Sequence, residues 1–470
     1  SDYIRRRFDC SDFYLVYYPY ILRTFGKRGS GILSEKTENE LTDCLLGFRY
    51  WIDEPGNDAM WFWSENHALM FHTCQLLAGE LFPDEVFTNS GLTGRQMQAK
   101  AKNMLYDWFV TFRKEGFTEW NSSPYLPIDT LGFGSLYAFA QDPAMRELGR
   151  EGMDFAYYLL AVHSQQGIFA SSSGRTYIKE QFGNWSNCPS GLSWIGYGYG
   201  VPGHAGKGIT SYCLSDYEPP KEFAQWFSIP QGKEMICQTT QGNDGYVDLY
   251  TYKTADYMMT SANDFHPGEP GHQENPFQLT FNAVAQLWVT HPGERVLFGA
   301  ARPSYWAGNG TLPKVNQYKA FAGLIYDIAP EHPVDFTHLY LPSMEFDRCE
   351  VEGKWAFVQL GSAYAAVYCS NGMRMQDFGS NKDRECIAEG RRCIWLVRAA
   401  QADEFAAFED FKAAMRGAAL DADAEDRRYR FVDPVYGELR CQWGETLYVN
   451  DAPMQYSGFD NYGKLTMQEK

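Results

Sequence analysis

Trp61-Phe-Trp-Ser-Glu-Asn-His-Ala-Leu-Met-Phe-His-Thr-Cys-Gln-Leu-Leu-Ala-Gly-Glu-Leu-Phe82 is apolar nearly all the way round a helical wheel. A helix of that kind is stable only when other elements cover it on every side. Ser64 precedes its first turn, and a serine hydroxyl there accepts one of the N–H groups that a helix start leaves open. Within that turn, where a core helix ordinarily carries nothing polar, stand Asn66 and His67. The positive end of the helix dipole disfavours imidazolium, so His67 is expected neutral and able to take a proton. Asn66 beside it can donate to an anionic oxygen. A proton acceptor next to an oxyanion donor is what abstraction of a proton alpha to a carboxyl group requires. The competing reading is a capping turn around a satisfied histidine.

Outward from this helix, apolar residues recur at helical spacing through 10–24, 38–52, 95–114, 128–140 and 144–163. Thr93 with Gln96 makes a capping box before 95–114, and Asp142-Pro143 supplies a cap and an N1 proline before 144–163. Helix 95–114 is broadly amphipathic and suits an outer layer around the all-apolar 61–82. Alternating inner and outer helices predict an (α/α) toroid of helical hairpins. Residues 165–230 change character. Ser171-Ser-Ser-Gly-Arg-Thr-Tyr177 and Gly196-Tyr-Gly-Tyr-Gly-Val-Pro-Gly-His204 are rich in Gly, Ser and Tyr. Irregular stretches of this length are usually functional, and a lid or cleft wall is expected. From about 233 the period becomes two, at 246–252, 277–281, 288–290, 355–360, 365–369 and 393–397. Turn signals such as Gln241-Gly-Asn-Asp-Gly245 intervene, and one helix, 403–416, interrupts the series. The fold class expected is α+β multidomain. A toroid domain over 1–230, including the Gly/Tyr-rich loops, precedes a large antiparallel β-sandwich over 231–470.

Composition narrows the partners. A chain of 470 residues with 44% apolar content is globular and long enough for two or three domains. Aromatics reach 16%, and aromatic faces stack well on sugar rings. A net charge of −18 argues against nucleic acid, which wants a basic face. An acidic ligand needs a local basic patch, for which Arg175, Lys179, Lys207 and Arg302 in Gly- or Pro-rich loops are the candidates. The 11 cysteines lack CxxC pairs, so neither a disulfide framework nor a zinc ribbon is expected. Scattered thiols favour a reducing compartment. No run approaches the ~18 apolar residues of a membrane span. Ser1 opens into Asp-Tyr-Ile-Arg-Arg-Arg with no signal peptide.

Three constellations can carry chemistry. The first joins Asn66 and His67 to Tyr125, in the loop Phe117-Thr-Glu-Trp-Asn-Ser-Ser-Pro-Tyr-Leu126. If hairpins pack side by side, inner-helix ends share one cleft. A phenol there, with an ordinary pKa of about 10, stays protonated until it is needed as an acid. Its competing reading is a tyrosine packed on Trp120. The second is Asp264-Phe-His-Pro-Gly-Glu-Pro-Gly-His-Gln-Glu-Asn275, followed by Thr290-His-Pro-Gly293. His272, Glu274 and His291 are candidate metal ligands or substrate contacts, and their spacing fits no compact zinc motif. The third is a carboxylate pair drawn from Asp53, Glu54, Glu65, Glu119 and Asp129, able to hydrolyse a glycoside. Helix capping and surface charge are the alternative for each.

Asn66-His67, the spacing to Tyr125, and Gly271-His-Gln-Glu-Asn-Pro-Phe-Gln-Leu-Thr-Phe281 together resemble the heparinase II/III-like and alginate-lyase group of polysaccharide lyases. That group pairs a helical toroid with a β-sandwich and carries Gly-His-x-His-x-Asp-x-x-Ser-Phe in the sandwich. The resemblance implies a lyase that cleaves a uronic-acid glycan by β-elimination. Asn66 binds the uronate carboxylate, His67 or Tyr125 takes the C5 proton, and Tyr125 protonates the departing O4. His272 matches the first histidine of the strand motif and steadies the substrate from the sandwich. Arg175 and Tyr177 grip a neighbouring sugar, with Trp120 and His266 as further substrate contacts. Glu274 stands where the group has a metal-ligating histidine, and His291 stands near its Asp-x-Gly ligand, so a divalent metal in the sandwich would be altered or lost. The elimination itself requires no cofactor. The partner implied is an acidic carbohydrate, with neither nucleic acid nor membrane, and the group leans periplasmic or secreted where the thiols lean cytoplasmic. Two rivals remain. One is a glycoside hydrolase using carboxylates such as Glu119 and Asp129. The other is a non-catalytic glycan-binding protein, against which the desolvated Asn66-His67 pair argues.

Overall fold

The structure is a computed structural model, and it describes residues 2–182, 188–202, 206–242 and 245–470. Parts of two sequence features, residues 203–204 and 243–244, lie outside the described residues. The chain forms two compact units. One comprises 1–114, 125–157 and 205–220, and the other comprises 115–124, 158–204 and 221–470.

The first unit is helical. Its helices include α1 (Asp2–Arg5), α2 (Asp12–Leu15), α3 (Tyr18–Phe25), α4 (Glu35–Gly47), α5 (Glu65–Leu81), α6 (Gly94–Glu115), α7 (Leu126–Phe139) and α8 (Pro143–Val162), the last residues of α6 and α8 belonging to the second unit. Helix α5 buries fifteen named residues, from Asn66 and His67 to Leu81, and α7 is likewise covered along its length. Helix α6 buries one stripe, as does α8 up to Asp154, beyond which α8 is covered on all sides, and inner and outer helices alternate in a partial (α/α) toroid. The two inner helices approach closely at Gly132, where a Cβ would lie 2.7 Å from Leu69 Cδ2. A larger residue there would have to displace the Leu69 side chain.

Caps set the helix starts. Ser64 accepts from the His67 N–H, at 3.4 Å. The Thr93 N–H donates to Gln96 Oε1 at 2.9 Å, and the Gln96 N–H donates back to Thr93 Oγ1 at 3.4 Å. Asp142 accepts from the Ala144 N–H at 2.8 Å, with Pro143 in the first turn. Thr93→Ala is therefore expected to cost about 1 kcal/mol of stability, read as a lowered urea midpoint with an unchanged denaturant slope.

The second unit is built on antiparallel sheets. Nine strands run in the order 374–375, 385–389, 336–340, 286–290, 277–280, 258–263, 247–253, 233–241 and 464–469. Six run in the order 348–352, 355–360, 363–369, 392–401, 321–327 and 314–318. A further five, within 420–453, make a smaller sheet. One core joins the two larger sheets, with Phe277, Leu287, Leu324, Phe357 and Trp395 all fully buried in it. The Trp395 indole N–H crosses to Thr337 Oγ1 at 2.9 Å, and the Tyr326 hydroxyl crosses to Val289 O at 3.1 Å, so the sheets pack face to face as a sandwich. The helix in this series starts later than the sequence suggested, at Phe408–Gly417, and lays Phe411 against Tyr364 with ring centroids 5.7 Å apart.

The stretch 165–230 is less irregular than its composition predicted. It contains the short helices Ile178–Gln181, Cys188–Tyr197 and Ile209–Cys213. No described helix is long and apolar enough to cross a membrane. No described cysteine is in a disulfide.

Candidate active site

In the helical unit, α5 begins by presenting Asn66 and His67 to the short helix α2. His67 Nδ1 lies 2.8 Å from Asp12 Oδ2, and both residues are nearly sealed, at 6% and 0% exposure. Phe13, next to Asp12, stacks on the imidazole with centroids 4.7 Å apart and planes 11° apart. The Lys207 ammonium stands 4.2 Å from the centroid of the Phe13 ring. Gly208, at φ +92, follows at once, and a Cβ there would meet Pro127 O at 3.0 Å. Glycine thus lets the chain run from the Phe13–His67 stack to the first turn of α7. Tyr125 caps that turn, half-buried, with φ −102 and ψ −30. Its backbone carbonyl accepts from the Ile128 and Asp129 N–H groups, at 2.8 and 3.0 Å. Asn66, His67 and Tyr125 therefore lie at the starts of the two inner helices of one unit.

The neutral His67 expected from the helix dipole is not what the site favours. Burial pulls the imidazole down, but the Asp12 hydrogen bond and charge, with the Cys10 side chain, outweigh it and lift the pKa to about 9. A buried carboxylate at 2.8 Å acts more strongly than the partial charge of a helix end. Burial also lifts the Asp12 carboxyl, against the pull of the His67 hydrogen bond. The sequence reading missed Asp12 because it sits 55 positions away in a helix of one turn.

Asn66 is oriented by the cap. Its Oδ1 accepts from the Ser64 hydroxyl at 2.5 Å and from the His67 N–H at 2.7 Å. With the oxygen consumed, Nδ2 is left buried with no hydrogen-bond partner among the described residues. A buried donor in that condition costs roughly 1–3 kcal/mol.

In the sandwich unit the Ser/Gly/Tyr stretch pairs with the degraded histidine motif. The Ser173 and Asn275 backbones exchange hydrogen bonds of 2.8 and 2.7 Å, and the Thr176 N–H donates to Gln273 O at 3.0 Å. This pairing sets Arg175 and Tyr177 beside His272. The Arg175 and Arg302 guanidinium carbons lie 5.7 and 5.8 Å from the centroid of the Tyr177 ring. Burial and the charges of Arg175 and Arg302 hold His272 below its ordinary pKa, against the pull of Glu274. The result is a local cationic cluster on an acidic protein, suited to a carboxylate or sulfate group. Glu119 answers it at 3.5 Å from Arg175.

Other candidates fall elsewhere. Trp120 leaves the substrate-binding set. It is 1% exposed and packs into a cluster with Val247, Leu249, Ala262, Phe265 and Leu312, so no ring face is offered to a sugar. His266 lines an open hollow of about 470 Å³ with Tyr246, Phe265, Glu269 and Glu274, and its Nδ1 is 3.4 Å from Glu269. Glu274 and His291 are tied by Asn309, which accepts from the His291 N–H at 2.9 Å and donates to Glu274 O at 3.1 Å. Their side chains do not combine as ligands. Glu274 accepts from the His272 N–H at 2.5 Å, and the fully buried His291 donates Nε2–H to Val334 O at 3.1 Å. Among the described residues, the one group of three His, Cys, Asp or Glu donors within ligand reach is Asp9, Cys10 and His67. The carboxylates proposed as a hydrolytic pair are engaged otherwise. Asp53 and Glu54 both face Lys100, at 2.6 and 3.7 Å, and Asp129 is 2% exposed.

No family model matches the chain. No curated protein matches it either. Among solved structures, it is similar to one titled "Crystal Structure of Heparinase III", with a TM-score of 0.43 and 9% identity, over 94% of this chain and 75% of that one. It is also similar to a second heparinase III gene product, with a TM-score of 0.42 and 10% identity, over 93% of this chain and 69% of that one.

Proposed function

We propose that this protein processes acidic glycans and does so as a lyase, by β-elimination at a uronic acid. The observation that carries the reading is the first turn of α5. A buried Asp12–His67 pair and a partnerless buried amide at Asn66 are both costly to the fold. Local rules are broken in this way mainly where a site needs them. In this reading Asn66 Nδ2 donates to the uronate carboxylate. His67, clamped by Asp12, adds positive charge beside it. Neutralising the carboxylate acidifies the C5 proton, since the charge left by its removal spreads onto the carboxyl oxygens. Tyr125, acting as the phenolate, takes the C5 proton and passes it to O4 as the C4–O4 bond breaks, which regenerates the phenolate and leaves a C4–C5 double bond. Because Asn66 and His67 are nearly covered, substrate must displace part of the Phe13 and Lys207 cover to reach them.

Hydrolysis by paired carboxylates is less well served, because Glu119 is neutralised by Arg175 and Asp129 is buried. The test is a panel of uronate polysaccharides read by ultraviolet absorbance and by reducing ends. New reducing ends with the unsaturated chromophore support elimination, reducing ends without it support hydrolysis, and neither signal removes the enzymatic reading.

A further inference from the structure

We propose that Asp9, Cys10 and His67 form a binding site for a divalent transition-metal ion, best matched to Zn²⁺, with Asp12 orienting the histidine. One carboxylate oxygen, the Cys10 sulfur and one imidazole nitrogen lie within 4.8 Å of one another. Tetrahedral zinc with bonds of about 2.0–2.3 Å sets its donors about 3.3–3.8 Å apart, so the group needs only a small contraction. The donor set, one thiolate, one imidazole and one carboxylate, suits a borderline-soft ion rather than magnesium or calcium.

The histidine is prepared for this role. Its Nδ1 is occupied by Asp12, which is fully buried, and that leaves Nε2 as the ligand. A ligating histidine characteristically donates its other N–H to a carboxylate, which fixes tautomer and ring orientation. The loop carrying the other two donors is tethered to the same helix start. The Trp61 N–H donates to Asp9 Oδ1 at 3.1 Å, which leaves the second carboxylate oxygen for a metal. Cys10 is held at φ +66, a conformation uncommon for a residue with a side chain. The site has an entrance, since Asp9 is exposed and Cys10 half-exposed while His67 forms the floor. Two anionic ligands and a dication sum to zero charge, and three protein ligands leave a fourth position for water or a substrate oxygen. The cation would hold positive charge beside Asn66 in place of the imidazole proton, which deepens the elimination reading without depending on it.

The experiment is titration of the metal-free protein with Co²⁺, without glycan. The expected result is one Co²⁺ per chain with a near-ultraviolet thiolate-to-cobalt band, bleached by added Zn²⁺. Cys10→Ser should lose the band while keeping the far-ultraviolet circular dichroism of the parent, and Asp12→Asn should bind about 10–100-fold more weakly. Absence of the band in the parent protein overturns the proposal, and so does its persistence in Cys10→Ser. If Asp12→Asn does not fold, the Cys10→Ser comparison, made at a partly exposed loop residue, still decides. The assay contains no sugar, so a failed lyase reading and a failed metal site give different results.

Discussion

Tyr125→Phe is expected to abolish the unsaturated-product signal, a loss of about 10²–10⁴-fold in kcat, with the protein still folded. The substitution removes one oxygen. The backbone carbonyl of residue 125 would still accept from the Ile128 and Asp129 N–H groups, and the hydroxyl takes no part in capping α7. The urea midpoint of the variant, measured alongside, separates any loss of folding from loss of turnover. The same assay with Glu119→Gln separates the two enzyme readings. Elimination predicts that this variant keeps most of its turnover. Undiminished chromophore from Tyr125→Phe would remove the phenol from the mechanism, and with it the pairing of the two inner-helix starts on which the lyase reading depends.

The sequence carried the helices because each has a periodic stripe or a cap that can be read locally. Ser64, Thr93 with Gln96, and Asp142-Pro143 all hold their helix starts as their spacing implied. The strands at 355–360 and 393–397 were legible as short runs of β-branched and aromatic residues. Others, such as Lys314–Tyr318 and Glu385–Glu389, carry Lys, Asn, Gln or Glu at buried positions and do not alternate. Most of their buried polar side-chain atoms find long-range partners, though Gln317 Oε1 has none among the described residues. Glu385, for one, accepts from the Tyr305 hydroxyl at 2.6 Å and lies 2.7 Å from His338 Nδ1. No local pattern announces such partners.

The candidate site was legible to the extent that it is local. Asn66 and His67 are adjacent in one helical turn, and the loop containing Arg175 and Tyr177 declares itself by composition. Asp12 does not, because its significance lies wholly in a contact made across 55 residues. That one contact reverses the expected charge of His67. Trp120 fails in the opposite direction. A tryptophan in a loop looks like a sugar platform, yet this one is covered by Phe265 at a centroid distance of 5.7 Å. Sequence indicates residue type and local geometry, but not which side of a loop the sheet will bury.

Asn66→Asp should separate activity from stability more sharply than any truncation at this position. The two side chains are nearly isosteric, so the acceptor that holds the Ser64 hydroxyl and the His67 N–H is retained. The change deletes the buried amide N–H₂ that has no partner, relieving a penalty of roughly 1–3 kcal/mol. It also adds negative charge at the start of α5, where the helix dipole contributes about 0.3–1 kcal/mol in its favour. Against these stands the desolvation of a carboxylate at 1% exposure. That cost is offset by the two donors already in place and by an imidazole whose pKa is lifted to about 9. The expected sum is a urea midpoint equal to or above that of the parent. Activity should go the other way. The donor to the uronate carboxylate becomes an acceptor and a like charge, and loss of one oxyanion donor alone is worth about 10²–10³ in kcat. A stable, inactive Asn66→Asp protein would mark the amide as a functional group maintained at the expense of the fold. A variant that retains turnover would return Asn66 to the role of a capping residue and remove the carboxylate-binding step. A variant that loses several kcal/mol would show that the Nδ2 group has a structural partner, and the orphan-amide argument for the site would fail.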